Sequence, residues 1–155
     1  MPFGINFQIP VAKIICGDLF AGLLTAQGEV FTWGWNVFGQ LGLKDSAIGV
    51  VLQPTKVQFS SSSKERIIDL ACGFNNCIAL NDSKQAYVWG KRMGVYPSYE
   101  FNLKGIEQTQ AIQLSEINQD TPRLLKQNLI FYKFAKVIAG QGNSGLITED
   151  GDLLI

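Results

Sequence analysis

The chain repeats itself, and that repeat limits its fold more than any other feature. Three stretches align without gaps: VAKIICGDLFAGLLTAQGEVFTWG at 11–34, IIDLACGFNNCIALNDSKQAYVWG at 67–90 and FAKVIAGQGNSGLITEDGDLLI at 134–155. Gly17, Gly73 and Gly140 correspond, giving periods of 56 and 67 residues. Leu24, Leu80 and Ile147 each follow their glycine by seven residues. Trp33-Gly34 and Trp89-Gly90 close the first two copies, and the third reaches Ile155 one place before its own Trp-Gly. A second anchor precedes the glycines: Pro54-Thr55-Lys56-Val57 and Pro122-Arg123-Leu124-Leu125.

Within each copy the apolar residues fall in short runs. Ile14–Cys16, Leu70–Cys72 and Val137–Ala139 read as buried strands, Cys77–Leu80 as a second strand, and Val30–Trp33 and Ala86–Trp89 as a third. Ala26-Gln27-Gly28-Glu29 and Glu149-Asp150-Gly151-Asp152 read as turns in which glycine supplies a positive φ. Ser83-Lys84 stands there in the second copy, so a different turn is expected. The Pro54 and Pro122 segments fit edge strands, where a missing N–H is tolerated. Four short strands per unit is the pattern of a propeller blade. The expected organisation is unit 1 at 11–59, unit 2 at 67–125 with an irregular insert at 91–121, and a truncated unit 3 at 134–155. Residues 60–66 form a polar connector, and Ala111–Ile117 is read as a helical turn or two.

Composition removes several function classes. The chain has 155 residues and no histidine, which excludes Ser-His-Asp triads, Cys-His dyads and His-containing zinc sites. Thirteen basic residues balance thirteen acidic ones, which argues against a nucleic-acid surface. Only 17% of residues are charged, against about 25% in average domains. Such a surface is poor at staying apart from neighbours, so a covering partner is expected. Cys16, Cys72 and Cys77 make neither a CxxC pair nor a disulfide framework, so a reducing compartment is the expectation, with core packing for the repeat equivalents Cys16 and Cys72 and no metal site at Cys72 and Cys77. Lys13 and Asp18 interrupt the apolar N-terminal stretch, so it reads as neither a signal peptide nor a membrane span.

The pattern G-x6-L-x8-W-G, followed by Asn36-x-x-Gly39-Gln40-Leu41-Gly42 and Pro54-x-x-Val57, resembles the regulator of chromosome condensation repeat. The resemblance covers about four fifths of the chain and implies an all-β fold, an incomplete β-propeller of about two to three four-stranded blades. Complete members of the family are seven-bladed; they bind proteins through loops on their two faces, and some promote nucleotide exchange on small GTPases. Two departures stand out. Phe20, Asn76 and Asn143 occupy the family's usual histidine position, and Lys91–Pro97 replaces Gly-Gln-Leu-Gly in the second copy. A propeller removes its open edges only by closing. The missing blades therefore imply a fragment, or a piece that docks on another polypeptide.

Trp33 and Trp89 are read as blade core. Trp35 and Phe38, in the loop after the third strand, are partner-contact candidates, as are Tyr96 and Tyr99 in the insert. Gly34-x4-Gly39-x2-Gly42 lacks the Lys-Ser/Thr of a phosphate loop and reads as a turn. Glu149, Asp150 and Asp152 supply too few ligands for calcium. No catalytic constellation, cofactor fingerprint or metal site emerges. The reading is a non-enzymatic protein–protein interaction module, a subunit or fragment within a larger intracellular assembly in the cytoplasm, cytoskeleton or cilium, with the nucleus as alternative. The rival is a fragment of a guanine-nucleotide exchange factor with a small GTPase as partner.

Overall fold

The computed structural model describes residues 9–44, 49–59, 66–91, 118–124, 132–141 and 144–154. They form three antiparallel sheets. Blade 1 contains β1 (Val11–Cys16), β2 (Phe20–Thr25), β3 (Val30–Trp35) and β4 (Val50–Lys56), in that spatial order. Blade 2 repeats the arrangement with β5 (Ile67–Cys72), β6 (Asn76–Asn81), β7 (Ala86–Lys91) and β8 (Asn118–Leu124). Blade 3 contains β9 (Phe134–Ala139), β10 (Ser144–Thr148) and β11 (Leu153–Leu154). Pro54 and Pro122 lie on the edge strands β4 and β8, where a proline leaves no ladder bond unmade. The stretch read as an insert at 91–121 begins and ends in strand, at Lys91 and from Asn118. The helical expectation for Ala111–Ile117 lies outside the described residues.

The turn between the second and third strands is built alike in each blade. Thr25, Asn81 and Thr148 are buried at its start. Their side-chain oxygens accept from the backbone N–H of Glu29, Gln85 and Asp152, respectively. Gly28 and Gly151 adopt φ of 84° and 92° at the position that must be left-handed. Lys84 adopts φ of 65° at the equivalent place. The expectation of a different turn in the second copy is therefore corrected. The buried Asn81 and the flanking ladder impose the geometry, and Lys84 accepts a conformation that L-residues disfavour. Its ammonium meets Glu149 of blade 3 at 3.0 Å.

Strand side chains alternate between two faces, and each blade uses both. The forward face of blade 1 (Leu24, Val30, Leu41, Val57) packs on the backward face of blade 2 (Leu70, Cys77, Tyr87, Trp89). The forward face of blade 2 (Ile78, Leu80, Ala86) packs on Phe134, Val137 and Leu146 of blade 3. Trp89 is almost wholly buried in the first seam, with Phe59 edge-on at 5.5 Å. Trp33, at the equivalent position, is only half-buried. The tryptophan of a blade is thus covered by the blade before it, and the expectation that Trp33 and Trp89 are equal core residues is corrected on that ground.

The cysteines also depart from expectation. Cys72 and Cys77 face each other across β5 and β6 and are joined in a disulfide, while Cys16 is exposed. The matching register pairs are Cys16–Ala21 in blade 1 and Ala139–Ser144 in blade 3. Those blades close without a bridge, so the fold does not require one.

Burial separates the two tryptophans energetically. Trp89→Ala is expected to destabilise the chain by about 3–5 kcal/mol. Trp33→Ala is expected to cost less than half of that, in urea unfolding followed by fluorescence.

Candidate protein-binding face

One end of blade 1 carries an exposed apolar cluster. β3 ends at Gly34-Trp35, where Gly34 has φ of 110° and a Cβ would lie 2.6 Å from the Leu19 carbonyl oxygen. The missing side chain lets the β1–β2 connection lie against the strand end, and Trp35 N donates to Leu19 O at 2.9 Å. Trp35 also pairs with Val50 across the β3–β4 ladder. Leu19, Trp35, Val37, Phe38 and Val50 are all exposed, Trp35 at 39% and Phe38 at 36%. An apolar group clustered at the loop end of a sheet is a binding-surface signature rather than scattered exposure.

The loop that holds this cluster is fixed from beneath. Asn36 Oδ1 accepts from Leu41 N at 3.1 Å. Gln40 Oε1 accepts from Phe38 N at 2.9 Å. Thr32 Oγ1 donates to Leu41 O at 2.7 Å. Asn36, Gln40, Leu41 and Thr32 are buried. Trp89 Nε1 of blade 2 donates to Gln40 O at 3.0 Å, and the Gln40 amide reaches Asn75 at 3.4 Å. A Cβ at Gly42 would come within 2.9 Å of the Trp89 indole. One loop therefore seals the seam with its inner side and presents Trp35, Val37 and Phe38 with its outer side. The Gly39-Gln40-Leu41-Gly42 run forms a turn, as its sequence suggests.

Of the four contact candidates from sequence, Trp35 and Phe38 come together here. Tyr96 and Tyr99 lie outside the described residues. Leu19, Val37 and Val50 were not singled out from sequence, because isolated apolar residues near turns carry no signal until the strand ends are brought together. Among the described residues no group of three or more acidic or cysteine side chains could hold a metal ion. No helix among them is long and apolar enough to cross a membrane.

Comparison with known proteins gives a consistent picture. Two profiles of the regulator of chromosome condensation (RCC1) repeat match residues 27–80 and 11–40. The serine/threonine-protein kinase Nek9 of Xenopus laevis is 35% identical over 80 residues, covering 52% of this chain and 8% of the kinase. The crystal structure of human WBSCR16 superposes with a TM-score of 0.73 at 20% identity, over 96% of this chain and 33% of that one. Prp20p from Saccharomyces cerevisiae, whose structure was described with its binding to Gsp1p and histones, gives 0.63 at 17% identity, over 91% of this chain and 31% of that one. This chain thus spans at most a third of each of these relatives. At such identities the two structures establish the fold.

The loop's two sides separate by substitution. Gln40→Ala removes the bonds from Phe38 N and to Asn75, and a loss of about 1–3 kcal/mol in unfolding free energy is expected. Trp35→Ala and Phe38→Ala are expected to stay within about 0.5 kcal/mol of the parent.

Proposed function

Because the chain belongs to the regulator of chromosome condensation repeat family and folds as part of a β-propeller, we propose that it is a non-catalytic interaction module working inside a larger protein assembly. The observation that carries this is a comparison between blades. Ile14 on the backward face of blade 1 is 66% exposed, whereas its equivalents Leu70 and Val137 are 0% and 2% exposed under the preceding blade. Val11 is likewise exposed where Ile67 and Phe134 are buried. Leu23, on the same face but in β2, is buried, so the bare part is β1, the inner strand of the blade. The repeat units proposed are 11–59, 67–125 and one starting at 134. Other protein chains, or further blades, cover the open inner strand, and the Trp35–Phe38 loop offers a second contact. An intracellular setting, cytoplasmic, cytoskeletal or ciliary, fits this role, with the nucleus as alternative.

The alternative is that the chain is part of a guanine-nucleotide exchange factor for a small GTPase. It is favoured by Prp20p, whose described binding includes Gsp1p. Balanced charge disfavours a role resting on DNA alone. The native mass of the protein isolated from its source, with each co-purifying chain identified, tests the proposal. A stable association, weakened at least about tenfold by Trp35→Ala or Ile14→Asp, is the expected result. An isolated monomer of 17.1 kDa with no partner would contradict it. Stimulated nucleotide release from a small GTPase would favour the alternative.

A further inference from the structure

Cys72 and Cys77 stand where three blades meet. The hairpin tip between them touches both neighbours. Asp18 N donates to Phe74 O at 3.4 Å, Gln40 Nε2 to Asn75 Oδ1 at 3.4 Å, and Asn76 Nδ2 to Ser144 Oγ at 2.6 Å. The disulfide closes the neck of this hairpin across a sequence separation of only 5. It therefore adds less stability than a bridge over a long loop. Its two sulfurs lie in different surroundings. Cys72 is partly exposed, whereas Cys77 is 1% exposed in the first seam. Cys77 Sγ is 3.7 Å from Gln40 O, the carbonyl that also takes the Trp89 indole. A disulfide sulfur has no hydrogen to give that oxygen, but a thiol has one, and a carbonyl can accept from two donors. Ala21 holds the place of Cys77 in blade 1, and Ala139 holds the place of Cys72 in blade 3, so the strands pair without a bridge.

We propose that Cys72 and Cys77 form a reversible thiol–disulfide couple, opened at Cys72 by a low-molecular-weight thiol, that sets how firmly the Trp35–Phe38 loop is held. Access decides which sulfur is attacked. The incoming thiolate bonds to Cys72 Sγ, the Cys72–Cys77 bond breaks, and Cys77 leaves as a thiolate and takes a proton. A second thiolate then attacks the added sulfur and releases Cys72, which is protonated in turn. Two small thiols are oxidised to their disulfide, and one protein disulfide is reduced to two thiols. The disulfide of the small thiol reverses both steps. In the reduced state the Cys77 S–H donates to Gln40 O, so the loop gains a bond from beneath. Gln40 Oε1 holds Phe38 N, which carries the change to the loop's outer side. The couple operates in the chain alone, whatever the loop binds.

The test uses the 155-residue chain with Cys16→Ser, which leaves only these two cysteines. Titration with reduced and oxidised glutathione, followed by alkylation and mass spectrometry, is expected to open and reclose the pair with the far-UV circular dichroism unchanged. Cys77→Ala should collect a glutathione adduct at Cys72, and Cys72→Ala should collect one at Cys77 at least about tenfold more slowly. Hydrogen exchange of the Phe38 amide reads the loop. It is expected to be about threefold slower in the reduced chain than in the oxidised one, because a thiol is a weak donor. Cys72→Ala keeps the Cys77 thiol and should match the reduced chain, while Cys77→Ala should match the oxidised one. The comparison of the two redox states stands without either variant. A pair that opens only on global unfolding, or an adduct that forms as fast at Cys77 as at Cys72, would overturn the couple. Exchange at Phe38 that ignores the redox state would overturn its hold on the loop.

Discussion

A β-blade with two apolar faces must have a neighbour on each side. That constraint underlies the rest of this structure. Leu70, Trp89 and Tyr87 are buried because blade 1 stands in front of them, and Phe134 and Val137 because blade 2 does. The strands themselves supply hydrogen bonds but little net stability. The seams supply apolar burial, worth about 25 cal/mol for each Å² removed from water. Stability is therefore shared between neighbours, as expected for repeat architectures in which each unit contacts only the next.

The polar contacts make that sharing specific. Asp69 bridges three sheets through Lys13 and the Val137 amide. Ile67 N donates to Gly28 O, and Arg66 reaches Ala26 O, so the hairpin turn of blade 1 receives the start of blade 2. Gln40 holds the loop above while its carbonyl takes the Trp89 indole. Apolar seams alone would tolerate sliding of one blade over another. These directional bonds fix one placement, because a displaced blade would leave buried donors and acceptors without partners.

Much of the architecture was legible in the sequence. The glycine and Trp-Gly anchors located three sheets, and the prolines located the edge strands β4 and β8 of the first two. What was not legible depends on context from outside the repeat. Trp33 and Trp89 look alike in sequence, yet one is buried and the other half-exposed, because burial is decided by the preceding blade. Lys84 looked like the mark of a different turn, yet Asn81 and the ladder hold it in the shape glycine takes elsewhere. Cys72 reads as a packing residue, and its pairing with Cys77 was missed, because sequence spacing does not reveal cross-strand register. The binding face was half legible. Trp35 and Phe38 stood out as aromatic loop residues, while Leu19 and Val50 joined them only through the fold.

The central claim is that the backward face of a blade's first strand is buried only where another blade covers it. The equivalent pair Ile14 and Leu70 isolates that claim. Unfolding free energies of Leu70→Ser and Ile14→Ser in the isolated chain test it most directly. The account predicts a loss of more than about 3 kcal/mol for Leu70→Ser. It predicts a change within about 0.5 kcal/mol for Ile14→Ser. Similar losses from both substitutions would show that Ile14 is already covered within the isolated chain, and would contradict the account.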